Sequence, residues 1–284
     1  MDLPRTRALL PIVEWRDSVG STNAALRDRV AAEPGLPHGT LIATAEQTAG
    51  RGRAGRGWEL PPGKAVAASI LLRNVSALPL GPGWLPLIAG SAVTAALQSY
   101  FTVADDNAGR EPRRVVVKWP NDVHVRTAED AQVDRPGLKL CGILCELLPD
   151  GSVIVGTGIN LLLEPDELPT ERATSLLAAG AAVDGARVIA DHDAAGAALV
   201  DDVLADAEEE LLRLVELAVE DPAAVRARIL RDSATVGAEV RVHLPGDRIV
   251  DGRARTLADD GALVVDLPTG GELTVNAGDV EHLR

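Results

Sequence analysis

Gly50-Arg51-Gly52-Arg53-Ala54-Gly55-Arg56-Gly57-Trp58 packs four glycines and three arginines into its first eight residues. It lies between two runs that read as strands, Thr40-Leu41-Ile42-Ala43-Thr44-Ala45 and Lys64 to Arg73, so a sheet displays it as a loop. Glycine lets backbone N–H groups turn toward an anion and lets the chain approach it, while arginine offers planar forks for phosphate or carboxylate. The loop suits a mononucleotide. It is not a Walker A loop, because the Gly-Lys-[Ser/Thr] ending is absent. An Arg-Gly stretch is also the composition of a flexible nucleic-acid tail, but tails sit at chain ends and this one is internal.

The rest of the chain makes that cluster exceptional. Its 284 residues carry 28 Lys plus Arg against 42 Asp plus Glu, a net charge of −14. So negative a molecule is repelled by phosphate backbones, which excludes bulk nucleic-acid binding unless the cations converge on one place. With 46% hydrophobic and 25% charged residues the chain is globular rather than disordered. Its length suits one large unit with a small companion. Charges, Gly and Pro interrupt every apolar run before a membrane span is reached, and the segment before Ile12 is too short for a secretory signal. Cys141 and Cys145 fall on one face of a strand, roughly 13 Å apart by strand rise. That is too far for a disulfide, and two cysteines cannot complete a zinc site. They read as buried side chains of a reduced, cytoplasmic protein, and no metal site is expected.

Outward from the loop, Ser21-Thr22-Asn23 stands where small polar residues cap a helix continuing to Ala32. Trp84 to Val103 has apolar residues at helical spacing. Three strands are expected at Arg114–Trp119, Lys139–Leu148 and Ser152–Asn160, with Pro120-Asn121-Asp122 and Asp150-Gly151 as turns, giving a mixed sheet. Thr127 to Gly137 reads as an exposed loop. Asp191 to Glu220 reads as a helix whose Glu208-Glu209-Glu210 run belongs to a solvated face. After Arg231 short β-rich runs alternate with Pro245-Gly246-Asp247, Asp259-Asp260-Gly261 and Gly270-Gly271, which suggests a small β-barrel. The expected domains are 1–233 and 234–284.

Three further clusters carry chemistry. Lys118-Trp119-Pro120-Asn121-Asp122 ends an apolar strand in a cation, an amide and a carboxylate, although a turn with Asn and Asp capping their own backbone accounts for it equally. Lys139 heads Leu140-Cys141-Gly142-Ile143-Leu144-Cys145-Glu146; it can be an ordinary edge charge, but Gly142 inside a strand often marks a close approach. Gly156-Thr157-Gly158-Ile159-Asn160 closes another strand on a glycine pair.

Taken in order with Ser21-Thr22-Asn23 and Gln47, these segments resemble the biotin protein ligase family, over most of the chain from about residue 15. The resemblance implies an α+β fold: a central mixed sheet with helices, akin to lipoate ligases and class II aminoacyl-tRNA synthetases, followed by an SH3-like β-barrel. It implies that ATP and biotin are substrates, with Mg²⁺, and that biotinyl-5′-AMP is formed before biotin passes to a lysine of a biotin carboxyl carrier protein. Biotin would be bound by Ser21, Thr22, Asn23, Gln47, Gly50, Arg51, Arg53, Lys139 and Gly142. The nucleotide would meet Arg51, Arg53, Arg56, Trp58, Lys118, Asn121, Gly158 and Asn160, with Trp58 over the adenine. The catalytic residues would be Arg53, Lys139 and Asp122, the last orienting or deprotonating the incoming lysine. Closure of the glycine-rich loop would order its cations and exclude water. Two departures stand out: Ala54 replaces a basic residue of many relatives, and Cys141 fills a small-residue slot.

Many bacterial relatives begin with a helix-turn-helix. Too little chain precedes Ser21 to hold one, so no DNA partner is expected, in keeping with the acidic charge. No membrane partner is expected either, and a homodimer through a sheet edge is left open. The alternatives are a lipoate or octanoate ligase, or a non-catalytic vitamin or nucleotide sensor with no need of Lys139.

Overall fold

The computed structural model describes residues 1–58, 61–75, 78–108, 112–244, 248–276 and 278–283. In the larger of two sheets the strands lie in the order β1 (Ile12–Trp15), β2 (Thr40–Thr44), β3 (Ala65–Leu72), β7 (Val153–Asn160), β6 (Leu138–Leu147), β5 (Asp122–Arg126) and β4 (Arg114–Lys118). Only β1 and β2 pair in parallel; the other neighbours are antiparallel, as the short turns joining β4 to β5 and β6 to β7 require of those two pairs.

Strands β2 and β3 are buried at every residue. Their continuous apolar sequence is that of strands covered on both faces. Alternation sends Val66, Ala68, Ile70 and Leu72 of β3 into the main core, and Ala65, Ala67, Ser69 and Leu71 to the opposite side. Helix α3 (Leu85–Ala108) packs on the first face, with α5 (Ala194–Glu220) and α6 (Pro222–Asp232) stacked beyond it. Helix α2 (Thr22–Ala32) covers one end of the opposite face through Leu26 and Val30, against Ile42, Leu71 and Ile154. The pocket described below opens on the remainder of that face.

Several expectations change. Asp122, read as part of a turn, begins strand β5, whose Val123 and Val125 face the core; two apolar residues are too few to announce a strand. Thr127 to Gly137 is not wholly a loop: Thr127 and Asp130 form a reciprocal capping box that starts α4 (Ala128–Gln132). The acidic face of α5 is not simply solvated. Asp201 is buried and accepts hydrogen bonds from the Arg5 and Thr6 N–H groups, which start α1 (Pro4–Leu9). Glu208 is also buried, and burial pushes its carboxyl up to about 8, so it is largely protonated at neutral pH.

The smaller sheet is antiparallel, ordered β11 (Glu272–Val275), β10 (Leu263–Asp266), β9 (Arg248–Leu257), β8 (Glu239–Leu244) and β12 (Asp279–His282). Among the described residues β11 and β12 do not pair, so this is an open five-stranded sheet rather than the expected closed barrel. The turn Pro245-Gly246-Asp247 lies outside the described residues. Two tryptophans fasten this sheet to the larger unit: Trp84 Nε1–H donates to Asp259 O at 2.9 Å and Trp119 Nε1–H to Gly261 O at 3.1 Å. Arg226 stacks over Trp84 at 5.0 Å and pairs with Asp259 at 2.8 Å. Among the described residues no helix is long and apolar enough to cross a membrane.

Candidate active site

Four strands lay one row of small residues across the floor of the pocket. Ala67 on β3 pairs with Gly158 on β7, Gly158 with Gly142 on β6, and Gly142 with Asp122 on β5. A Cβ on Gly142 or Gly158 would come within 2.8 or 2.7 Å of the Trp58 ring, so the indole rests on bare backbone. The next row holds Ser69, Gly156 and Leu144.

Lys139 reaches this floor through an irregularity. Plain alternation would place it with Cys141 and Ile143, which face the core. The pairing shifts between Val123 and His124: Cys141 lies opposite Val123 and Lys139 opposite His124, leaving Leu140 as an extra residue. This bulge turns Lys139 onto the face shared by Asp122 and His124. There Lys139 Nζ lies 2.7 Å from Asp122 Oδ1 and 5.3 Å from the Trp58 ring centroid.

At the other end of the pocket a polar network is already closed. Ser21 caps α2, its side chain accepting from the Ala24 N–H at 3.5 Å. Gln47 Oε1 accepts from Thr22 N–H at 2.8 Å, and Ser69 Oγ lies 2.8 Å from Thr22 Oγ1 and 2.6 Å from Asn23 Oδ1. Asn23 Nδ2 donates to Glu146 Oε1 at 2.8 Å, and Arg27 pairs with the other Glu146 oxygen at 3.1 Å. Gly156 lies so close beneath Asn23 that a side chain there would displace the amide.

The glycine-rich loop is a small hairpin. Gly52 N–H donates to Arg56 O at 2.7 Å and Trp58 N–H to Gly50 O at 3.0 Å, around a single 3₁₀ turn at Arg53–Gly55. Gly50 has no room for a side chain between the Trp58 carbonyl and Gln47. Arg53 Nη1 donates to Asn121 Oδ1 at 3.2 Å, and Asn121 Nδ2 donates to Ile143 O at 2.6 Å. Lys118 Nζ donates to the Val280 carbonyl at 2.8 Å, so the smaller sheet reaches the pocket through β12.

Burial by itself would raise the Asp122 carboxyl. The Lys139 charge, 2.7 Å away, outweighs it and holds the group below the usual carboxylate range. Lys139 is the stronger partner, because His124 Nε2 stands 4.0 Å away and burial keeps that imidazole below its ordinary value, hence neutral at pH 7.

A cavity of about 340 Å³ contains Ser21, Thr22, Asn23, Gln47, Arg51, Arg53, Arg56, Trp58, Lys118, Asn121, Asp122, Lys139, Gly142 and Gly158 in its lining. Five cations of an acidic chain thus converge, as the sequence suggested. A second cavity, of about 1070 Å³, shares Arg56, Trp58, Lys118, Asp122 and Lys139 with the first and adds His124, Asn160 and His282. Two candidates lie outside the first cavity: Gly50 lines a recess beside Trp58, and Asn160 lines the second cavity while donating to Thr174 O at 2.8 Å. Sequence reasoning missed Ser69, His124 and Val280, and gave no role to Glu146 and Gly156, which lie within the segments it singled out. A lone serine in an apolar strand was the available sign for Ser69; nothing local marked Val280.

Known proteins share both this fold and these segments. Residues 16–162 match the biotin/lipoate A/B protein ligase family, and residues 235–283 match the biotin protein ligase C terminal domain. The biotin–[acetyl-CoA-carboxylase] ligase of Mycobacterium tuberculosis is 36% identical over 95% of this chain and 90% of its own. The bifunctional ligase/repressor BirA of Bacillus subtilis is 34% identical over 62% of this chain and 49% of its own. The structure of the Aquifex aeolicus biotin protein ligase in complex with biotin and ATP superposes with a TM-score of 0.68 at 25% identity, covering 97% of this chain and 100% of that one. The architecture and the pocket are those of a ligase domain carrying a small C-terminal sheet. The chain belongs to the biotin/lipoate A/B protein ligase family.

Proposed function

We propose that this protein is an ATP-dependent biotin protein ligase, which activates biotin as biotinyl-5′-AMP and transfers it to a lysine of a biotin carboxyl carrier protein. The observation that carries the reading is the junction at Lys139: a closed polar network on one side, a second cavity on the other, and five cations between. Thr22, Asn23 and Gln47 offer the paired donors and acceptors that a ureido ring needs. The dithiolane of lipoate has no donor or strong acceptor to exchange hydrogen bonds with them, which disfavours that alternative. With the ring so held, the biotin carboxylate lies toward Arg53 and Lys139, and the nucleotide extends along Trp58 toward Asn160.

A carboxylate must approach a polyphosphate in the first step, so Arg51, Arg53 and Lys139 offset repulsion and stabilise charge developing at the α-phosphoryl group. Carboxylate oxygen bonds to the α-phosphorus and pyrophosphate departs. The described residues offer no cluster of three or more metal-ligating side chains, so Mg²⁺ is assigned as arriving with the triphosphate and no step here depends on a protein cage for it. In the second step the lysine nitrogen attacks the acyl carbon and AMP leaves. Asp122, held ionised by Lys139, is too weak a base to take the proton and serves to orient the incoming ammonium. Residues 1–233 are assigned as the catalytic domain and 234–284 as the C-terminal domain. ATP supply and reduced thiols suit a cytoplasmic setting.

The test is incubation with ATP, Mg²⁺, biotin and a biotin carboxyl carrier domain, followed by streptavidin detection. Label on the carrier is expected. Biotin binding without pyrophosphate release would support the sensor reading, and pyrophosphate release with lipoate alone would support the lipoate reading. Of the sheet edges, β4 is partly covered by a bridge from Val117 to Ser233, so β1 is the edge on which a homodimer would pair, with light scattering as its measure.

A further inference from the structure

Transfer requires the acceptor lysine to lose a proton before its nitrogen can attack. The amine is charged at neutral pH, and the nearest carboxylate, Asp122, holds no affinity for a proton there. Two histidines line the second cavity beside Lys139 and Asp122. His282 has both ring nitrogens engaged, Nδ1 with Asp134 O at 2.8 Å and Nε2 with Thr235 Oγ1 at 3.2 Å. His124 does not. Its Nδ1 lies 3.1 Å from Gly137 O, and since a carbonyl only accepts, that nitrogen carries the proton of the neutral ring. Nε2 therefore bears a lone pair, and it is buried without a hydrogen-bond partner among the described residues. It faces Asp122 Oδ2 across 4.0 Å.

Two acceptors facing one another, one of them ionised, leave a place for a donor with a positive charge. A nitrogen about 2.9 Å from each spans that gap. We infer that an ammonium group of the acceptor lysine seats between Asp122 Oδ2 and His124 Nε2, and that His124 takes its proton in the transfer step. This assignment rests on the ligase reading above. The ammonium gives one proton to Nε2. The freed lone pair forms the C–N bond to the acyl carbon, the acyl C–O bond breaks with its electron pair on the phosphate oxygen, and one of the two protons left on nitrogen passes to the departing AMP while the other stays on the amide. His124 then returns its proton to solvent.

The groups around the ring are consistent with a base rather than a standing cation. Burial opposes a charge on His124 most, and Lys118 on β4, Lys139 opposite it on β6 and His282 on β12 oppose it too, with Arg126 two residues along its own strand; Asp122 and the Gly137 carbonyl favour it. Gly137, which receives Nδ1–H, sits at φ 77° with its Cβ position blocked by Val125 and Arg126, so the ring's anchor is fixed by backbone.

Single-turnover transfer from preformed biotinyl-5′-AMP to the carrier domain tests the assignment, with adenylate formation measured separately as pyrophosphate release. His124→Gln is expected to slow transfer on the order of 10²-fold relative to adenylation. It should also abolish the acid-side inflection, below about 6.5, that a histidine base gives the transfer rate. His124→Ala is expected to regain transfer when imidazole is added, and thermal melts report whether either variant folds. Equal transfer rates and an unchanged pH profile in a folded variant would overturn the assignment to His124 while leaving the ligase reading intact. A wild-type protein that forms no adenylate would overturn the reading beneath it.

Discussion

The two ends of the pocket are built on opposite principles. Around Thr22, Asn23, Ser69, Gln47 and Glu146 the polar groups have partners before any ligand arrives, with hydrogen bonds of 2.6–2.8 Å joining two strands, a helix and the segment after β2. In the glycine-rich hairpin, Arg51 stays exposed and Arg53 is held by one bond of 3.2 Å to Asn121. A neutral ring is recognised by fixed complementarity, and preorganising that end lowers the cost of ordering it on binding. Cations that fixed one another's place in an empty site would repel strongly. They are better held loosely until an anion makes their approach favourable.

If that contrast holds, the largest effects come from the charged end and appear in catalysis. Lys139→Ala should lower pyrophosphate release on the order of 10²–10³-fold, as for other single groups that stabilise a developing charge. Arg53→Ala should follow closely, with biotin affinity changing much less in isothermal titration. Full adenylation in either variant would mean that the cations are assigned wrongly.

The preformed end should lose affinity instead. Asn23→Ala leaves Ser69 and Glu146 short of a partner, at about 1–3 kcal/mol, or roughly 5- to 150-fold in the Kd for biotin. Gly156→Ala should weaken biotin in the same direction by pushing on the Asn23 amide. An affinity unchanged by both would break the contrast, because it would show that the network is structural only.

The smallest effect concerns the wall that β12 supplies to both cavities. Burial lowers His282 from 6.5 to about 4, so between those values the unfolded chain binds a proton that the folded chain does not. Stability should therefore fall as pH drops from about 6.5 toward 4, and His282→Gln should flatten that dependence in urea midpoints measured at pH 7 and pH 5. A midpoint equally pH-dependent in both proteins would place the acid sensitivity elsewhere.

Much of this site is legible in the sequence because its chemistry is local. Arginines between glycines, a lysine at the head of a strand and glycines at a strand's end keep their meaning whatever surrounds them. The framework is legible for the same reason, in β2, β3 and α2, where alternation or a cap fixes the element. What escaped notice depends on register. Strand β5 was hidden by its brevity, α4 by reading Thr127 as loop rather than cap, and the buried acids of α5 by the assumption that charge faces solvent.

The amino-acid order alone determined the glycine-rich loop, the cations and the strand-end motifs on which the pocket draws and their succession along the chain, since propensity and residue chemistry act within a few positions. The tertiary structure decided which way they point. One extra residue, Leu140, puts Lys139 on the floor rather than in the core, because side chains alternate strictly until a bulge resets them. It also brought the Val280 carbonyl to Lys118 across 162 positions, through pairings whose register no local signal carries.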